Sequence, residues 1–220
     1  MSQHHVHFNV NEMARIAAKA VGEKLCVSIE KYPNDMYNKA MLLKMDNGTQ
    51  VVAKVPKPSA GRPHFTTASE VATMDFARNV LGAPVPKVFA WSSTAQENPV
   101  GAEYIIMEKV PGIELEHVWP SMGIEDRFTL VKAITGFQKA WASVSFKKFG
   151  GLYYAKDLEE RTGNEPLYTD ANGIDITNAK FAIGPSTGRE LIDNGRANVG
   201  FDSGPWGNLR STTPQSGFEK

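Results

Sequence analysis

One lysine, Lys54, stands among apolar residues in the stretch VVAKVP, Val51 to Pro56. Glu70 follows sixteen positions later, in TTASEV. An ammonium in such surroundings either lays its stem along a sheet with its head in water or neutralises a bound anion. In nucleotide sites a strand lysine meets the α and β phosphates, and a glutamate on the next helix holds that lysine in place. The alternative is plain. Lys54 would be solvated on the open face of a half-buried strand, and Glu70 would close a capping box begun by Thr67. Spacing alone leaves both readings open.

Two further stretches complete a nucleotide site if there is one. Pro33-Asn34-Asp35-Met36-Tyr37, just before Asn38, is placed to cover phosphates, although it contains no glycine to let backbone N–H groups approach closely. MEKVPG, Met107 to Gly112, would be the hinge whose backbone meets an adenine edge, drawing in Glu108 and Val110. Val52, Ile106 and Met107 would flank the ring, or would simply be core.

The elements that position these residues can be read from periodicity and turn chemistry. Residues 25–32, 39–46 and 49–56 read as three strands, the last two joined through Asp46-Asn47-Gly48, a tight hairpin signal. A helix is predicted from the Thr67–Glu70 capping box to about Leu81, stopped by Gly82. Strands follow near 88–91 and over 102–110. From Ile124 to about Phe146 an apolar stripe of Leu130, Ile134, Phe137, Trp141 and Val144 predicts a long helix. The order strand–strand–hairpin–strand–helix–strand–strand–linker–helix is that of a protein-kinase-like small lobe in an α+β fold. The expected divisions are 1–24, an N-terminal extension with a short helix; 25–112, the small lobe with a five-stranded antiparallel sheet and one helix; 113–154, a linker and first large-lobe helix; and 155–220, an irregular Gly/Pro-rich segment with a disordered tail.

Composition narrows the classes. With 41% hydrophobic and 22% charged residues over 220 positions the chain can bury a core. Twenty-four basic residues balance twenty-four acidic ones, so no overall field points to nucleic acid or an anionic membrane. Cys26 is the only cysteine, which excludes an intrachain disulfide and reads as a buried, inert thiol. No apolar run approaches the roughly 18–20 residues of a membrane span. The opening MSQHHVHF carries His4, His5 and His7 without a completing ligand and is expected to be solvated and frayed.

The blocks VVAKVPKPSAG, TTASEVATMDFAR, PVPKVFAWSS, NPVGAEYIIMEKVPG and FGGLYYAKDL resemble, in this order, the fungal phosphotransferase-family proteins related to aminoglycoside phosphotransferases. The nearest group is that of altered inheritance of mitochondria protein 9, and the resemblance covers roughly residues 9–206. It implies that Lys54 and Glu70 match the family's nucleotide-pairing lysine and helix glutamate. PNDMYNK would match its phosphate-covering turn, without the glycine that the family often has there. ATP is the implied cofactor, with magnesium only if a large lobe were present. A mitochondrial location is implied as well, with a cytoplasmic one as the alternative.

Phosphoryl transfer also requires an aspartate base, an asparagine metal ligand and a second metal-binding aspartate. No histidine of the chain is followed by Asp two places on, as His-x-Asp-x-x-x-x-Asn requires. Asp170, Asp175, Asp193 and Asp202 lie among glycines and prolines and read as turn residues. No catalytic and no metal-binding residue is therefore assigned. The expectation is a truncated or inactive phosphotransferase relative, or a non-catalytic nucleotide-binding or scaffold module. The small-molecule acceptor stays unnamed, and self-association is expected through an uncovered large-lobe face.

Overall fold

The computed structural model describes residues 6–33, 36–158, 165–188 and 202–207. Three strands open the sheet: β1 (Cys26–Tyr32), β2 (Asn38–Met45) and β3 (Gln50–Pro56). β2 and β3 are joined by the predicted turn, where Gly48 takes a φ of +91° and Asn47 Oδ1 accepts the Thr49 N–H at 2.7 Å. Left-handed backbone of this kind is cheap only for glycine, which is why the Asp-Asn-Gly signal was readable. β4 (Val88–Ser92) and β5 (Tyr104–Glu108) complete an antiparallel sheet of order β1-β2-β3-β5-β4. β5 is shorter than the predicted 102–110 run.

Alternation along β3 divides the sheet into two faces. Val51, Ala53 and Val55 are fully buried on one of them, in a core shared with Leu43, Met45 and Ile106. Helix α1 (Val10–Ala20) covers that face with Met13, Ala17 and Ala18, and Asn9 Oδ1 caps it by accepting the Asn11 and Glu12 N–H groups. The terminus expected to be frayed is seated from Val6 onward. Val6 and Phe8 pack against this core, and the Asn9 N–H donates to the Val100 carbonyl at 2.8 Å. His4 and His5 lie outside the described residues.

Helix α2 (Phe65–Asn79) begins two residues before the predicted capping box. The chain enters it through His64, whose φ of +66° is held by its N–H bond to Glu103 Oε1 and by a 2.8 Å contact of its ring with Ser93 Oγ. Thr67 and Ser69 are therefore interior residues, both buried, and Glu70 sits in the second turn rather than the first. Gly82, at φ +68°, follows the helix as expected.

A short helix α3 (Leu115–Val118) leads to α4 (Ile124–Ala142). The predicted stripe forms a helix, but α4 buries no residue: Ile134 and Trp141 of the stripe and Phe128 and Val131 outside it are all exposed. Beyond it β6 (Ser145–Phe146) and β7 (Gly151–Tyr154) close the 113–154 segment, and the region read as irregular, 155–220, contains β8 (Tyr168–Thr169), β9 (Asp175–Ile176) and β10 (Phe181–Gly184). β7 and β10 pair antiparallel and lie against α2. The tail expected to be disordered, 207–220, lies outside the described residues from 208 onward, as does Asp193.

Candidate functional site

Lys54 points away from the α1 core because it is one step out of phase with Ala53 and Val55. Its ammonium donates to Glu70 Oε1 at 2.5 Å and to Oε2 at 2.6 Å. The lysine side chain is 18% exposed and the glutamate 33%, so the pair sits at the edge of solvent rather than deep in it. The bland reading of Glu70 as a capping-box residue does not hold, since the helix starts elsewhere and its carboxylate is spent on Lys54. Both oxygens grip one ammonium, which fixes its position while leaving its outer surface available for an anion.

The strand register supplies a floor beside that ammonium. Val52 lies opposite Met107, and Lys54 opposite Ile105. Directly opposed residues share a face, so Val52, Ile105 and Met107 line the Lys54 side of the sheet. Ile106, expected beside Val52 and Met107, is instead fully buried in the α1 core, opposite Ala53. Strand parity corrects the choice: Ile105, two residues before Met107, was the readable partner. Glu108 is used structurally, its Oε2 accepting the Lys87 N–H at 3.0 Å and lying 3.6 Å from Arg78. Val110 is half exposed beyond the end of β5. Asn38 opens β2 opposite Pro56. Asn34 and Asp35 of the covering turn lie outside the described residues, so that part of the expected site stays an expectation.

The other titratable candidates are engaged elsewhere. Burial pushes the half-buried Cys26 thiol up, away from the thiolate form a nucleophile needs. Asp170 accepts the Asn172 and Ile174 N–H groups, Asp202 the Trp206 indole N–H, and Asp175, in β9 rather than a loop, lies 2.6 Å from Lys147. These carboxylates shape turns and pairs rather than converging on Lys54.

The sheet order, the helix between its third and fourth strands and the strand-lysine–helix-glutamate pair together define a protein-kinase-like small lobe. No family model matches the chain. Its homologues include a subtelomeric hrmA-associated cluster protein of Aspergillus fumigatus, 41% identical over 180 residues, which are 82% of this chain and 33% of that protein. They also include fungal proteins named altered inheritance of mitochondria protein 9, mitochondrial. The Komagataella phaffii protein is 34% identical over 177 residues, covering 75% of this chain and 29% of its own length. The Eremothecium gossypii protein is 32% identical over 173 residues, covering 74% and 28%. The chain thus spans about a third of the length of the curated relatives it matches. A crystal structure from Ralstonia eutropha, assigned to the aminoglycoside phosphotransferases, superposes at a TM-score of 0.37 with 23% identity, over 49% of this chain and 29% of that one.

Proposed function

We propose that the chain is the nucleotide-gripping part of a kinase-like phosphotransferase relative. ATP is the ligand, Lys54 neutralises its phosphates, Glu70 orients Lys54, and Val52 with Met107 flanks the adenine before the 107–112 hinge. The observation that carries this reading is the two-pronged Lys54–Glu70 contact, set beside an apolar floor on the same face of the sheet. The residues fit a phosphate. Among the described residues they do not fit magnesium: both Glu70 oxygens are committed to Lys54, and Asp170, Asp175 and Asp202 are tied into other structure.

The bound nucleotide would supply a transferable phosphoryl group. The residues of this chain would hold and orient it, and the sequence carries no His-x-Asp-x-x-x-x-Asn loop to pass it on. Binding without transfer by this chain alone is therefore the expected behaviour. The relatives' names support a mitochondrial location, checked by fractionating cells that express the tagged chain. Titration calorimetry with ATP tests the central claim. Measurable heat is expected from the parent, with affinity reduced at least about tenfold in Lys54→Ala, equivalent to ~1.4 kcal/mol. No heat from the parent at millimolar ligand would sink it.

A second reading, a scaffold module, is favoured by one observation, the exposed apolar surface of α4. In that reading α4 is a protein-contact surface, and the isolated chain self-associates through it.

A further inference from the structure

Helix α2 carries Glu70 on one side and, on another, Asp75 five residues later. The Asp75 side chain is only 14% exposed and has three donors. The Tyr154 hydroxyl donates to its Oδ2 at 2.6 Å, and the Lys180 ammonium lies 2.6 Å from the same oxygen. Asn79, one turn along the same helix, donates to Oδ1 at 2.6 Å. Two of the three donors come from outside the helix: Tyr154 ends β7, and Lys180 immediately precedes β10. The link therefore runs from the helix that orients Lys54 to the antiparallel β7–β10 strand pair.

The other contacts between α2 and this region are largely aromatic, together with a side-chain hydrogen bond between Ser69 and Tyr153 nearer the start of the helix. Phe76 meets Phe181 and Tyr168 edge-on at 5.4 and 5.7 Å, and Phe65 meets Tyr153 at 6.1 Å. Apolar contact holds a helix down but is non-directional, so it tolerates sliding and rolling. Arg78 ties the end of the helix to the Val85 carbonyl and lies 3.6 Å from Glu108, away from the β7–β10 pair. A carboxylate held by three short hydrogen bonds is directional, and rolling it out would leave a largely buried charge short of donors. Because α2 is rigid over five residues, any roll that breaks the Asp75 bonds also swings Glu70 relative to Lys54.

We propose that Asp75 is a positioning residue: with Tyr154 and Lys180 it fixes the roll of α2 and thereby keeps Glu70 in register with Lys54. For its effect on nucleotide affinity this rests on the reading given above; for the Lys54–Glu70 contact it does not.

The test is a double-mutant cycle on Lys54→Met and Glu70→Gln, measured by urea unfolding of the full chain. It is run in the parent, Asp75→Asn, Tyr154→Phe and Lys180→Met backgrounds. In the parent the pair is expected to change the unfolding equilibrium constant roughly threefold or more beyond additivity. In Asp75→Asn that factor should fall to near one, and in the two milder variants to an intermediate value. The milder variants decide the matter if Asp75→Asn does not fold. Additivity already in the parent overturns the proposal. So does a coupling left intact in the latch variants, even where their overall stability drops, because that is what a merely structural role would give. ATP titration of the same proteins separates the two claims. A parent that binds no ATP ends the nucleotide reading, while the cycle still decides on Asp75. ATP binding that stays unchanged in the latch variants, with the coupling intact, leaves the nucleotide reading standing and removes Asp75 from it.

Discussion

Asp75 and Asp157 are both largely buried aspartates within reach of the β7–β10 hairpin, yet their protons respond in opposite directions. Burial pushes Asp75 up, but the hydrogen bonds from Lys180, Tyr154 and Asn79, with the charge on Lys180, outweigh it and hold the carboxyl below its ordinary value. Burial pushes Asp157 up as well, and there the charges of Lys156, at 4.0 Å, and His64 do not offset it. Its Oδ2 is buried with no hydrogen-bond partner among the described residues. The signs follow from linkage. Asp75 adds stability that is present above its unfolded-state pKa of about 3.9 and is lost as pH falls further, through the depressed folded value. Asp157 binds its proton more readily folded than unfolded, so its ionised form weakens the fold at neutral pH, and that penalty fades as pH falls through the raised folded value. Asp157→Asn is therefore expected to be more stable than the parent at pH 7, with the difference shrinking toward about pH 4. Urea melts across that range check this, and a pH-independent difference would contradict it. At this scale the sequence singled out Lys54 and Glu70 as a candidate pair, a lone lysine in a strand and a glutamate on the next helix, but their spacing served a solvated lysine and a capping box equally well. It did not reveal Asp75 or Asp157, whose partners are brought close only by the fold.

At the scale of elements, strands 25–56 and the Asp-Asn-Gly turn were readable from alternation and turn chemistry, which act over a few residues. The start of α2 was misread: Thr67-Ala68-Ser69-Glu70 has a capping-box composition, but His64, held by Glu103 and Ser93, sets the entry. β8, β9 and β10 were missed because each is too short for periodicity and lies among glycines. Those glycines are themselves structural. A Cβ on Gly150 would stand 2.3 Å from the Gly184 carbonyl and 2.9 Å from Ile183 Cγ2, and one on Gly184 would meet the Tyr153 ring at 2.9 Å. A backbone carbonyl cannot step aside as a flexible side chain can. Gly150→Ala is expected to cost roughly 2 kcal/mol or more through enforced strain. Unfolding midpoints check the figure, and a cost below about 0.5 kcal/mol would show that the hairpin yields. By contrast, removing the α1 cap with Asn9→Ala should cost only about 1 kcal/mol.

Across the whole molecule, α4 carries apolar residues on more than one face, and the described residues bury none of them. Its 3.6-residue pattern correctly announced a helix but said nothing about what covers it, since periodicity records a face and not its partner. Contiguous exposed apolar surface drives association. The chain in isolation is expected to sediment as more than a monomer, and Phe128→Glu, at a position 73% exposed, should shift it toward the monomer with little loss of stability. A parent that sediments as a monomer at tens of micromolar would remove α4 as a self-contact.

The ties between α2 and the β7–β10 hairpin also have a consequence in time. Tyr154 lies 79 residues beyond Asp75. A ribosome therefore releases the five-stranded sheet and α2 well before it has made the hairpin that receives Asp75, Ala72 and Phe76. Through that interval the helix has its sheet contacts but lacks its outer neighbour. Nascent chains halted before β7 should thus expose the Phe76 face to chaperones and proteases, and chains halted after β10 should not.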